Sequence, residues 1–123
     1  MVNPTQKAEA EDLQVLFEVE CPALKENVVL YKRVWYLHII NKRTGHPYMD
    51  GKDDLVKKAV ESVTSIEQLL RFSQYPKNEW YTDYACPHFR PLSDFLRVAF
   101  RRTEEGIVMI SSAYHTGVVR YEP

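Results

Sequence analysis

Hydrophobic and polar residues alternate near the start of the chain in a way that predicts β-strands. In residues 13–20 (LQVLFEVE), Val15, Phe17 and Val19 occupy every second position, which is typical of a strand with one buried face. The apolar run that follows, 26–32 (ENVVLYK), predicts a second short strand or the approach to a helix. The chain is therefore expected to begin with β-structure.

The spacing becomes helical further along the chain. Residues 33–43 (RVWYLHIINKR) are interpreted as a helix, although their β-branched and aromatic content would also suit a strand. The residues that would share one face are Val34, Leu37, His38 and Asn41. The helix is preferred because Thr44-Gly45 forms a C-terminal stop and because Lys42 and Arg43 suit the negative end of a helix dipole.

A second and clearer helix is predicted at 53–63 (DDLVKKAVESV), with Asp53 or Asp54 in its first turn. Its inward-facing residues would be Leu55, Val56, Ala59, Val60 and Val63. The preceding residues 46–51 (HPYMDG) predict a turn. Residues 65–73 (SIEQLLRFS) are interpreted as a strand entered after a turn, with a short helix as the alternative.

The last third of the chain predicts strands again. Residues 80–85 (WYTDYA) form an aromatic strand, and 86–94 (CPHFRPLSD) form a loop. Two β-rich runs, 95–102 and 107–114, are joined by a short loop ending in Gly106, which is a β-hairpin signal. The predicted fold class is α+β, with an N-terminal strand and helices packed on a mostly antiparallel sheet of four to five strands.

Length and composition suit one domain over residues 1–123, with 1–12 as a loose leader, because 45% of the 123 residues are hydrophobic. No apolar run reaches the ~18 residues of a transmembrane helix, so no membrane contact is expected. The polar, acidic start does not match a secretory signal, so a cytoplasmic location with Cys21 and Cys86 reduced is expected. Cys86 and His88 have no second ligand pair at zinc-finger spacing, and neither a metal nor another cofactor is expected.

Charge is unevenly distributed despite a net charge of −1. Residues 1–24 hold one lysine against five acids, residues 25–43 hold five bases against Glu26, and residues 71–102 hold six bases against three acids. The near-neutral total argues against non-specific coating of nucleic acid. The asymmetry still allows one local basic cleft.

Several short motifs occur in an order that resembles a known group of ribonucleases. They are Val28-Val29-Leu30, Trp35, His38-Ile39, Arg43, His46-Pro47 and Ser112-Ala113-Tyr114. Together they resemble the small phage- and toxin-associated nucleases grouped with barnase, EndoU, colicin and RelE-type ribonucleases, over about residues 26–116. Two departures stand out: Thr44-Gly45 separates Arg43 from His46, which are usually adjacent, and Tyr48 replaces a usual acid.

The resemblance implies a RelE/barnase-like fold and a metal-independent endoribonuclease that acts as a toxin or defence effector. Such cleavage needs a base for the 2′-hydroxyl proton, an acid for the leaving 5′-oxygen, and cations or donors at the phosphate. Histidine suits both proton roles. His46 is therefore the first candidate, with His38 or His115 as its partner. The structural alternatives are a core histidine at 38 and an inert loop histidine at 46.

Arg43 is the expected phosphate ligand, because it precedes His46 closely and a guanidinium matches phosphate oxygens. Ser112 and Tyr114 would share one face of the last strand, where their hydroxyls could bind phosphate or orient a histidine. The further candidates for RNA binding are Lys42, Arg33 and Lys32. Each of these residues also has a structural interpretation, as a helix-end charge or as the polar face of a strand.

RNA is the expected substrate, an antitoxin or immunity protein is the expected partner by analogy, and a homodimer is compatible with the sequence. Two alternatives stay open. One is a catalytically inactive nucleic-acid- or protein-binding module of the same fold, which the near-neutral charge and the gap between Arg43 and His46 favour. The other is a small structural subunit or regulator with residues 1–24 as an acidic docking arm.

Overall fold

A computed structural model describes residues 14–71, 79–86 and 95–116. The leader, His88 with most of its loop, and the residues after 116 lie outside the described residues. In chain order the described elements are β1 (Val15–Cys21), β2 (Glu26–Tyr31), α1 (Lys32–Val34), a π-turn (Trp35–Ile39), a 3-10 turn (Pro47–Met49), α2 (Asp53–Glu61), a second 3-10 turn (Ile66–Gln68), β3 (Leu70–Arg71), β4 (Glu79–Ala85), β5 (Phe95–Arg102) and β6 (Val108–His115).

The described strands form one mixed sheet in the order β1-β2-β6-β5-β4-β3. β2 and β6 run parallel, with Val28 opposite Val108, and the other neighbours are antiparallel. The α+β class is confirmed, but the prediction of four to five strands is wrong, because six strands are described. The pairing of β2 with β6 joins segments far apart in sequence, which local periodicity does not reveal.

One face of the sheet carries the hydrophobic core. In the β5–β6 register, Leu96 and Val98 lie opposite His115 and Ala113 on this face, and α2 packs over it. The buried α2 side is the predicted one, with Val56, Ala59, Val60 and Val63 fully buried. The second face of the sheet carries the alternate residues of the same strands.

β1 departs from the predicted alternation. A bulge between Val15 and Phe17 shifts the register, so Val15 pairs with Tyr31 and is 41% exposed. Phe17 and Val19 pack against the core as predicted. An extra residue in a strand moves the side chains before it to the opposite face of the sheet. A simple two-residue repeat does not reveal such an insertion.

The helix predicted at 33–43 is shorter and wound differently. The backbone N–H of Ile40 donates to the carbonyl of Trp35 at 2.9 Å, which is the i→i+5 bond of a π-helix. Trp35 and Ile39 are buried, whereas Leu37 and His38 are exposed. The predicted face that contained Leu37 and His38, and the interpretation of His38 as a core histidine, are therefore wrong.

The strand predicted at 65–73 is also largely wrong over its described part. Ser65 and Gln68 form a capping box around a 3-10 turn, and the Gln68 side chain accepts from the backbone N–H of Thr64 at 2.8 Å. The strand is confined to Leu70–Arg71 among the described residues. No helix within the described residues is both long and apolar enough to cross a bilayer.

Candidate functional site

The turn before α2 meets the end of β6 through a cluster of four rings. The ring centroids of His46 and Tyr114 lie 5.0 Å apart at an interplanar angle of 28°. Tyr48 lies 5.8 Å from the ring of His46 and 4.7 Å from that of His115. The backbone N–H of His115 also donates to the Tyr48 hydroxyl at 3.1 Å. This ring cluster (His46, Tyr48, Tyr114 and His115) joins three predicted site residues.

An Asn-centred turn carries the chain from the π-turn to His46. The side-chain oxygen of Asn41 accepts from the backbone N–H groups of Arg43 at 2.8 Å and Thr44 at 3.1 Å. Its carbonyl accepts from the N–H of Gly45 at 3.0 Å. Asparagine is favoured here because its short side chain bonds to the backbone two or three residues ahead. The turn is thus specified by local chemistry.

Gly45 sets how closely this turn can approach the π-turn. A Cβ at this position would lie 2.2 Å from the carbonyl oxygen of His38 and 2.7 Å from that of Ile39. The next residue, His46, donates its backbone N–H to the Ile39 carbonyl. Because both clashes are with backbone atoms, only glycine fits without a shift. Gly45 therefore fixes the position of the His46 backbone, and through it the imidazole.

Burial and neighbouring groups shift the pKa values of two residues in the ring cluster, His46 and Tyr48. Burial lowers the pKa of His46 from its ordinary value, and the nearby His115 lowers it further. Burial raises the pKa of Tyr48, an effect opposed by the hydrogen bond from the His115 backbone. At neutral pH His46 is thus a neutral imidazole that can accept a proton, and Tyr48 keeps its phenolic proton.

The guanidinium of Arg97 lies beside Tyr114 of the ring cluster, on the second face of the sheet. Arg97 lies opposite Tyr114 on β6 and Asp83 on β4. Its Nε and Nη2 donate to the two Asp83 carboxylate oxygens at 2.8 and 3.0 Å, and the guanidinium carbon lies 4.1 Å from the Tyr81 ring centroid. The hydrogen bonds to Asp83 raise the pKa of Arg97, and the Tyr114 hydroxyl adds to that effect. A guanidinium that is fixed by Asp83 therefore lies next to the ring cluster.

Sequence reasoning missed Asp83 and Arg97, and it considered Tyr48 only as a departure from the nuclease pattern and Tyr81 only as an aromatic side chain that could stack on a base. For Arg97 a signal existed, because the predicted hairpin places β5 residues opposite β6 residues, and alternation would put Arg97 on the face of Tyr114. Asp83 needed the pairing of β4 with β5, which no turn motif specified.

The remaining predicted residues lie outside the ring cluster. Ser112 lies opposite Ala99 on the Tyr114 side, as predicted. The side chain of His38 is exposed on the π-turn. Lys32, Arg33, Lys42 and Arg43 are exposed as well. Within the described part of the chain, the guanidinium that contacts the ring cluster is that of Arg97 and not that of Arg43.

The described ranges hold no group of three or more His, Cys, Asp or Glu side chains placed to bind a metal ion. What the site offers is a neutral imidazole, a second imidazole, two phenols and a guanidinium, which are groups suited to proton transfer at an anionic substrate. Comparisons of the chain with protein-family models, curated protein sequences and solved structures find no match.

Proposed function

We propose that the protein is a metal-independent endoribonuclease with a RelE/barnase-like fold, and that the ring cluster is its cleavage centre. The observation that carries the proposal is the contact of His46 with Tyr114 and, through Tyr48, with His115. Residues from the middle turn and the last strand, separated by 67 positions between Tyr48 and His115, converge on one place. The nuclease resemblance rests on two of these four residues.

In the proposed reaction His46 takes the proton of the 2′-hydroxyl. The 2′-oxygen then forms a bond to phosphorus while the bond from phosphorus to the 5′-oxygen breaks, and His115, as the proposed general acid, gives a proton to the leaving 5′-oxygen. The products are a 2′,3′-cyclic phosphate and a free 5′-hydroxyl. The lowered pKa of His46 supports its role as the base, because the imidazole must be neutral to accept the proton.

Tyr114 is the proposed contact to the phosphate oxygens, because Arg43, the phosphate ligand expected from the sequence, is exposed and lies outside the ring cluster. Arg97 acts as a positioning residue, because Asp83 already engages its Nε and Nη2. The Arg97 guanidinium holds the Tyr114 hydroxyl by a hydrogen bond on the second face of the sheet. The His46 ring stacks on the ring of the same tyrosine. Ser112, two residues before Tyr114 on the same face, lies outside the ring cluster and is a further hydroxyl proposed to bind phosphate.

The test is incubation with end-labelled single-stranded RNA in EDTA. The parent should cleave, and His46→Gln should lose about 10²–10⁴-fold in rate, because a positioned base contributes about that much. His38→Gln is the matched control, since its imidazole is exposed and outside the ring cluster. RNA left intact by the parent, or cut equally by His46→Gln, would overturn the proposal.

A binding module without catalysis is the second candidate. It is favoured by the Asp83 carboxylate, which neutralises the cation nearest the ring cluster, and by the net charge of −1. RNA retained but uncut in the same assay would support it. The toxin or defence role and the antitoxin or immunity partner rest on the resemblance alone, whereas the cytoplasmic location is proposed from the sequence. Growth arrest on expression, relieved by His46→Gln, would support the toxin role.

A further inference from the structure

The segment that leads to the ring cluster has one sign of charge. No aspartate or glutamate occurs from residue 27 to residue 49, although the whole chain holds 17 acids against 16 bases. Lys32, Lys42 and Arg43 in this segment are all exposed. A local excess of cations in a chain of near-neutral charge points to an anionic partner at this surface.

The π-turn presents apolar surface between these cations. Because Trp35 and Ile39 enter the core, the three residues between them all face outward. Tyr36 is 53% exposed and Leu37 is 51% exposed. An exposed aromatic side chain flanked by cations provides a flat surface for stacking with charges for the accompanying backbone.

Backbone hydrogen bonds link this segment to the ring cluster. The Asn41-centred turn carries Lys42 and Arg43, and its last hydrogen bond ties the backbone of His46 to Ile39 of the π-turn. The same backbone therefore sets the positions of the cations, the exposed ring and the proposed base.

We infer that the basic aromatic surface (Lys32, Tyr36, Leu37, Lys42 and Arg43) binds single-stranded RNA flanking the bond to be cut, with one base stacked on Tyr36. Single strands are favoured because only an unstacked base offers its face to a side chain. The inference deepens the proposed function and rests on it for the identity of the substrate. An acidic protein segment would match the same charges, and the experiment includes it.

Binding is measured by fluorescence anisotropy with a 2′-O-methyl oligonucleotide, which lacks the attacking hydroxyl and so cannot be cleaved. Tyr36→Leu should weaken binding at least about fivefold, and Tyr36→Phe should bind like the parent, because stacking needs the ring and not the hydroxyl. Ile66→Ala is the matched control, since Ile66 is 58% exposed on a different turn.

The charges are tested by salt dependence. Replacing Lys42 and Arg43 by serine should lower the slope of log Kd against log salt by about 1.4, or about 0.7 for each phosphate contact on a single strand. Lys58→Ser, on the exposed side of α2, should leave the slope unchanged.

Equal binding by Tyr36→Leu and the parent, or binding of duplex RNA as tight as that of the single strand, would overturn the inference. Binding of poly-glutamate in place of RNA would assign the surface to an acidic protein and also overturn it. Cleavage by the parent with no effect of Tyr36→Leu on binding would leave the proposed function intact. Binding that depends on Tyr36 without cleavage would remove the proposed function and keep the inference.

Discussion

His46 and His38 belong to one segment, yet their surroundings differ. The imidazole of His46 stacks on Tyr114 and is partly buried, whereas that of His38 projects into solvent from the π-turn. The sequence predicts a helix around His38 and a turn around His46, but neither prediction shows which of the two meets another ring. The difference arises because β6, distant in sequence, supplies a ring to one histidine and not to the other.

The lowered pKa of His46 predicts a pH-dependent stability. Below its ordinary pKa of about 6.5 the unfolded chain binds a proton more readily than the folded chain, so this contribution is complete above that pH. It falls as the pH drops through the folded pKa, by at most about 1.4 kcal/mol per pH unit.

Urea unfolding between pH 8 and pH 5.5 measures this effect. The unfolding free energy of the parent should fall relative to that of His46→Gln as the solution becomes more acidic. His38→Gln keeps His46 and should follow the parent. A constant difference between the parent and His46→Gln across this range would contradict the account of the site.

The two bidentate ion pairs of the described residues should differ in strength. The side chains of Arg97 and Asp83 are 27% and 26% exposed, and those of Arg102 and Glu26 are 31% and 39% exposed. Tyr81 also covers the Arg97 guanidinium. Water screens the charges of the less exposed pair less strongly. The coupling energy of Arg97 and Asp83 should therefore be about 1–3 kcal/mol, and that of Arg102 and Glu26 less than about 1 kcal/mol.

Double-mutant cycles with Asp83→Asn and Arg97→Met, and with Glu26→Gln and Arg102→Met, give these coupling energies. The second cycle serves as the control for the first. Equal coupling in both cycles would show that the lower exposure of the Arg97–Asp83 pair and its contact with Tyr81 do not strengthen it.

At the scale of elements, Gly45 explains why the π-turn and the His46 turn form one unit. Gly45→Ala should cost about 2–3 kcal/mol, because the added Cβ meets two backbone oxygens that cannot move independently. Gly51→Ala is the matched control. Gly51 has a φ of +78° but no atom within 4 Å of an added Cβ, so only the left-handed backbone penalty of about 1 kcal/mol applies.

Urea midpoints rank the two glycine variants, and the chemical shifts of the His46 and Tyr114 ring protons report their stacking. Gly45→Ala should alter these shifts, and Gly51→Ala should leave them in place. A larger loss of stability in Gly51→Ala would mean that the close approach at Gly45 is not what holds the turn.

Elements specified by local chemistry were predictable from the sequence. The α2 helix followed from its 3.6-residue spacing and first-turn acids, and the β5–β6 hairpin followed from two β-rich runs around Gly106, whose φ is +89°. The π-winding of Trp35–Ile39 was not predictable, because a residue pattern that favours a helix does not distinguish i→i+5 from i→i+4 hydrogen bonds. Residues 65–73 predicted a strand, but the capping box at Ser65 stabilises a 3-10 turn at the start of this range instead.

At the scale of the whole molecule, the parallel pairing of β2 with β6 creates the candidate site. Parallel strands end at the same edge of a sheet, so the segment that leaves β2 passes the end of β6. This places His46 and Tyr48 beside Tyr114 and His115. Short motifs predicted His46 and Tyr114 as site residues, and His115 was a candidate as a histidine at the end of the last strand. Only the pairing of β4, β5 and β6 adds Arg97 and Asp83.

In the proposed reaction, the ring cluster uses the 2′-hydroxyl of RNA as the nucleophile without a metal. The most direct test is an oligonucleotide of deoxyribose with a single ribose, incubated in EDTA and analysed for its end groups. We expect one cut, 3′ of the ribose, that leaves a 2′,3′-cyclic phosphate and a 5′-hydroxyl, retained by His38→Gln and reduced at least about 100-fold by His46→Gln. An uncut oligonucleotide, a cut at deoxyribose, or equal rates for the two histidine variants would contradict the account.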